Sequence, residues 1–185
     1  TLVKFFINNI LNGVFPLWEP FVYLGTPFYA ISILGLLNPL IYLVLLLVKL
    51  GLNYYDAYLV YLTATFFLGC LGFYCLSKAV LKDDFLAYLS FLAVLFSGVG
   101  GGFFTQANML LMFVPGVWFF YFLISFTREF KVGYLLGLTF SLMIVLTSYI
   151  PAHFITVLWI FLLSFLCLYF KEARVLITGF LRFIR

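Results

Sequence analysis

The sequence predicts an all-α integral membrane protein, a polytopic helical bundle of about five transmembrane helices with interfacial juxtamembrane helices in an external loop. Three observations predict it. The chain is 66% hydrophobic and 9% charged, well beyond the roughly 45–50% apolar content of soluble domains. Its 185 residues have a mean hydropathy of +1.24. Its lysines and arginines stand singly or in pairs at the ends of apolar runs. That placement reads as a membrane-topology signal, and the net charge of +4 therefore does not indicate a nucleic-acid partner.

Residues 1–12 put Leu2, Phe5, Phe6 and Ile10 on one side and Lys4, Asn8, Asn9 and Asn12 mostly elsewhere, which predicts a short amphipathic helix lying in the membrane interface. Residues 13–42 then concentrate four of the six prolines, Pro16, Pro20, Pro27 and Pro39. Proline fixes φ, removes an amide donor and pushes the preceding residue toward extended geometry, so Phe15-Pro16, Glu19-Pro20 and Thr26-Pro27 cannot share one continuous helix. Phe15, Leu17, Trp18, Phe21, Tyr23, Phe28 and Tyr29 make this a membrane-hugging loop rather than a polar one. Pro16, Trp18, Pro20, Gly25 and Pro27 are expected to set its shape.

The apolar run at 39–50 reaches about 18–20 Å as a helix, short of a hydrocarbon core of roughly 30 Å. It is either a juxtamembrane helix or the end of a span that starts near Tyr29. The runs at 57–80, 107–126, 132–150 and 154–170 are read as spans, and 85–97 as a shorter apolar helix interrupted by Gly98, Gly100, Gly101 and Gly102. Those glycines lack the Lys and Ser/Thr of a phosphate-binding loop and read as a helix break lining a cavity. Domain boundaries follow: an external loop over 1–53, a transmembrane bundle over 54–174 and a further interfacial or membrane segment over 175–185. The first residue is not Met, and an apolar stretch begins just before Arg185, which reads as a fragment of a longer polytopic protein.

Charge orients the bundle, because basic residues in short loops are retained on the cytoplasmic side. The turns at 77–84, 127–131 and 171–174 carry two basic residues each, whereas those at 97–107 and 148–153 carry none. The basic turns are therefore expected in the cytoplasm of a multi-pass cell-membrane protein. Asn53–Asp56, the glycine loop and His153 then fall on the outer side. Cys70, Cys75 and Cys167 lie inside apolar runs and are expected as buried thiols, with no metal site.

The order of GVFPLWEPF, YLGTPFYA, NPLIY and a later FSG resembles the C-type membrane glycosyltransferase superfamily, in its YfhO-like branch, over residues 1 to 126. In that superfamily the equivalent stretch forms the first external loop. The resemblance implies an enzyme that passes a sugar from a polyprenyl-phosphate donor to an acceptor at the outer face, with membrane lipid as its other partner and no cofactor. It also implies a catalytic acid upstream of the Pro-Leu-Trp motif, hence before Thr1, so the catalytic residue is unknown here. A second family acid falls at Thr105-Gln106-Ala107-Asn108-Met109, where Asn108 accepts a hydrogen bond but takes up no proton near neutral pH.

Glu19, Asp56, Gln106, Asn108 and His153 are the candidate substrate-binding residues. Each has a plainer role beside it. Glu19 suits a cap on a short helix or turn, Asp56 an N-cap, and a lone histidine a polar cap at a helix corner. A non-catalytic membrane scaffold and a transporter subunit are the alternative readings, the second weakened by the lack of ionisable residues within the spans.

Overall fold

The computed structural model describes residues 2–16, 18–19, 26–27, 39–98, 101–102, 107–146, 155–156, 158–160, 163 and 179. Within them run α1 (Leu2–Leu11), β1 (Trp18–Glu19), β2 (Thr26–Pro27), α2 (Ile41–Lys49), α3 (Tyr54–Leu81), α4 (Asp84–Phe96), α5 (Ala107–Glu129) and α6 (Val132–Leu146). The fold is helical, as expected. Among the described residues it also holds a two-residue antiparallel pairing of Trp18 with Pro27 and Glu19 with Thr26. The prolines account for it: Glu19 and Thr26 each precede one and are held extended, so they meet as a strand pair. Glu19 therefore lies in a ladder with an extended backbone.

Among the described residues, two helices are long and apolar enough to cross a membrane, Tyr54–Leu81 and Met109–Glu129. At 28 residues α3 extends about 42 Å, and the 21 residues from Met109 about 31 Å, against a core of roughly 30 Å. The apolar helices α4 and α6, of 13 and 15 residues, reach only about 20 and 22 Å. The expected span at 132–150 is described to Leu146, and that at 154–170 only at 155–156, 158–160 and 163, where the backbone is helical.

Polar residues set the helix ends. Asn53 caps α3 by accepting the orphan Asp56 amide at 3.0 Å, and donates its own side-chain amide to the Asp56 carboxylate. Lys82 ends α3 in the left-handed region at φ 57°, its amide returning to the Lys78 carbonyl at 3.0 Å. Asp83 then caps α4 through the Leu86 amide at 2.9 Å, and Lys78 pairs with Asp84 at 2.8 Å across the turn. A two-residue reversal results.

The core is built on α3 and α5, which run parallel. Gly69 lies against Phe113 and Val114, Gly72 against Trp118, and the Arg128 guanidinium donates to the Ala79 carbonyl, so both numberings climb together. Glycine permits this approach: a Cβ on Gly72 would stand 2.8 Å from the Trp118 ring. The indole N–H of Trp118 donates to the Leu68 carbonyl at 3.2 Å. The reversal at Phe130 and Lys131 returns α6 antiparallel along α5, with Gly137 under the Phe122 ring, where an added Cβ would stand 2.7 Å from it. The backbone at Gly179 lies against the Phe130 ring.

α1 forms the short helix expected near the N-terminus, over Leu2–Leu11. Phe6 and Ile7 are fully buried in one cluster with Ile41, Val44, Ala57, Tyr61, Phe66 and Leu110, so its apolar face packs on protein. The Phe6 ring meets those of Phe15 and Tyr42 edge-on at 6.2 and 6.3 Å. α2, at 9 residues and about 13.5 Å, is too short to span. A short turn through Gly51, at φ 96°, folds it back beside α3.

Candidate functional site

Proline, glycine and serine inside apolar helices open a groove at the centre of the molecule. Pro39 and Leu40, Leu68 of α3, Val114, Pro115, Trp118 and Phe122 of α5, and Phe140, Ser141 and Ile144 of α6 enclose about 280 Å³. Leu68 stands about 21 Å along α3 from Tyr54, so the groove lies near the middle of that helix. Pro115 carries no amide hydrogen, which leaves the Leu111 carbonyl one turn earlier without its helical donor. The Trp118 and Phe122 rings, 5.7 Å apart, form an aromatic wall. Ser141 is 3% exposed, and among the described residues its hydroxyl has no hydrogen-bond partner. Chemically the groove suits an uncharged apolar body.

The sequence-derived candidates lie elsewhere. Asp56 is exposed at the start of α3, where Asn53 is the cap and Asp56 its reciprocal partner two residues into the helix; the simple N-cap assignment shifts to Asn53. Glu19 is described in its backbone only, paired with Thr26, and Asn108 in its backbone only, in the first turn of α5. Gln106 and His153 lie outside the described residues, as do Pro20, Gly25 and Cys167. Of the remaining loop-shaping residues, Pro16 is buried, Trp18 is 54% exposed, and Pro27 pairs with Trp18. The helix break expected at the glycines falls at Ser97, whose backbone is extended; Gly98, Gly101 and Gly102 are helical, and the Gly101 amide returns to the Ser97 carbonyl at 3.1 Å.

Among the described side chains each carboxylate has a structural task. Asp56 and Asp83 serve caps, Asp84 pairs with Lys78, and Glu129 pairs with Lys131 at 2.7 Å. The Glu129 carboxylate holds the Lys131 ammonium above its ordinary pKa. No group of three or more His, Cys, Asp or Glu residues able to hold a metal occurs among the described residues. Cys70 is buried, Cys75 half-buried, and both are free thiols.

The groove escaped the sequence reading, which looked for a cavity among the outer loops. Its signals were Gly69, Gly72, Pro115 and Ser141, residues that thin or interrupt an apolar helix without ending it. Compared with known proteins, the chain matches no family model, no curated protein and no solved structure.

Proposed function

We propose that this chain is part of a multi-pass cell-membrane glycosyltransferase that takes a sugar from a polyprenyl-phosphate donor and passes it to an acceptor at the outer face. The observation that carries the reading is the ordered run of GVFPLWEPF, YLGTPFYA and NPLIY, which resembles the external loop of the C-type membrane glycosyltransferases. Extended pairing of Trp18-Glu19 with Thr26-Pro27 supports a folded loop at that motif. The common end shared by the turns after α3 and α5, which carry Lys78, Lys82, Arg128 and Lys131, supports a cytoplasmic face made from the basic turns. In this proposal about five helices span, and the start of α3 faces outward with the loop and His153.

The chemistry needs a carboxylate to accept the proton of the acceptor hydroxyl and donors to stabilise the departing phosphate. In the proposal the carboxylate comes from upstream of the Pro-Leu-Trp motif, while Glu19, Asp56, Gln106, Asn108 and His153 orient the substrates. The engagement of Asp56, Asp83, Asp84 and Glu129 in caps and ion pairs favours a second reading, a non-catalytic membrane assembly partner. Transfer of labelled sugar from a panel of polyprenyl-phosphate donors, by the purified full-length protein, separates the two. Transfer reduced by Glu19→Gln or His153→Ala supports the enzyme; no transfer from any donor leaves the assembly partner as the better reading.

A further inference from the structure

We infer that the groove between α3, α5 and α6 is a binding site for an uncharged, lipid-soluble ring compound carrying one hydrogen-bonding oxygen, held to Ser141. The site stands independently of the transferase reading. Ser141 is 3% exposed, lines the groove, and has no hydrogen-bond partner among the described residues. A buried hydroxyl without a partner carries a desolvation cost that a ligand oxygen would remove. Thr65, Thr127 and Thr139 on the same helices each donate to a carbonyl of their own helix, at 2.7–3.0 Å. Ser77, 8% exposed, also has no hydrogen-bond partner among the described residues, but it does not line the groove.

The other groove walls define the rest of the ligand. The Trp118 indole N–H is already committed to the Leu68 carbonyl, so the ring offers its apolar surface. With Phe122 and Phe140 it supplies aromatic walls, against which a flat ring packs better than a flexible chain. The remaining lining side chains are aliphatic or proline, and none carries a charge that would offset an ion. A charged ligand is therefore excluded at this depth. A cavity of about 150 Å³ already admits benzene, so 280 Å³ admits two rings.

Benzophenone has this chemistry, two rings and one carbonyl oxygen, and on irradiation it inserts into neighbouring C–H bonds. The full chain in phosphatidylcholine vesicles would be irradiated with increasing benzophenone and the adducts mapped by mass spectrometry. The expected result is saturable labelling confined to the groove walls, at 39–40, 68, 114–122 and 140–144. Diphenylmethane, the same body without the oxygen, should compete less well than benzophenone on the unaltered chain. Ser141→Ala should weaken the half-saturation point by roughly 3- to 10-fold, the worth of one hydrogen bond, and Ser141→Thr should restore it. Ser90→Ala, a hydroxyl already bonded within its own helix, should change nothing. Labelling that rises without saturating and spreads over Phe85 and Tyr88 would overturn the proposal. So would equal competition by diphenylmethane, a result that needs no variant to fold.

Discussion

Asn53 shows how a polar side chain acquires meaning from its position. Its carboxamide satisfies the Asp56 amide while Asp56 accepts in return, at the exposed start of a 28-residue helix. Removing such a cap costs about 1 kcal/mol, so Asn53→Ala is expected to lower the thermal midpoint in detergent and Asn53→Asp to retain it. Asp56→Ala loses only the return bond and is expected to cost less. If it abolished sugar transfer with an unchanged midpoint, Asp56 would be a substrate contact rather than a cap partner. Lys131 belongs to the same scale. Its pKa is raised by Glu129, so the pair contributes below the ordinary lysine value and loses its contribution as pH rises through the raised one. Both side chains are exposed and screened by salt, so Glu129→Gln should leave the midpoint unmoved at neutral pH.

At the scale of the element, the helix lengths were largely readable. The apolar runs at 57–80 and 107–126 became Tyr54–Leu81 and Ala107–Glu129, the first extended at both ends and the second at its C-terminal end, through Glu129. What could not be read was which faces meet, because a helix apolar all round gives no stripe to orient it. Gly69, Gly72 and Gly137 resolve that only once their neighbours are known. The loop candidates fared differently: Glu19 followed the local rule for a residue before proline, whereas the Ser141 groove needed three helices to be placed together. Gly72 gives the sharpest test. Alanine there would recover about 1 kcal/mol of helix propensity and blur the result, so Gly72→Leu is the informative change. Its side chain would displace the Trp118 ring, break the indole bond to Leu68, and cost about 1–3 kcal/mol. A lower thermal midpoint with a red-shifted Trp118 emission, in a chain where Trp18 and Trp159 are Phe, is expected. An unchanged midpoint would mean that α3 and α5 do not approach at Gly72.

For the whole molecule, the parallel course of α3 and α5 carries the most consequence. Parallel neighbours need a returning stretch of chain between them, and α4 lies between the two in sequence and packs on α3. Their C-terminal ends therefore share one face, joined where Arg128 donates to the Ala79 carbonyl. That carbonyl belongs to the last turn of α3, whose partial negative charge the guanidinium offsets. Lys82 and Lys131 thus stand at one end of the bundle, and Leu52, before the start of α3, at the other. With Cys70, Cys75 and Cys167 replaced by Ala, single cysteines at Lys82, Lys131 and Leu52 can be probed with a membrane-impermeant maleimide in intact and permeabilised cells. The expected outcome is that Lys82→Cys and Lys131→Cys react only after permeabilisation, while Leu52→Cys reacts in intact cells. Two failures would carry different messages. If the Lys82 and Lys131 positions reacted from opposite sides, the parallel packing of α3 on α5 would be wrong. If both reacted from outside and Leu52 from inside, the packing would stand, and the orientation drawn from the basic turns would be inverted.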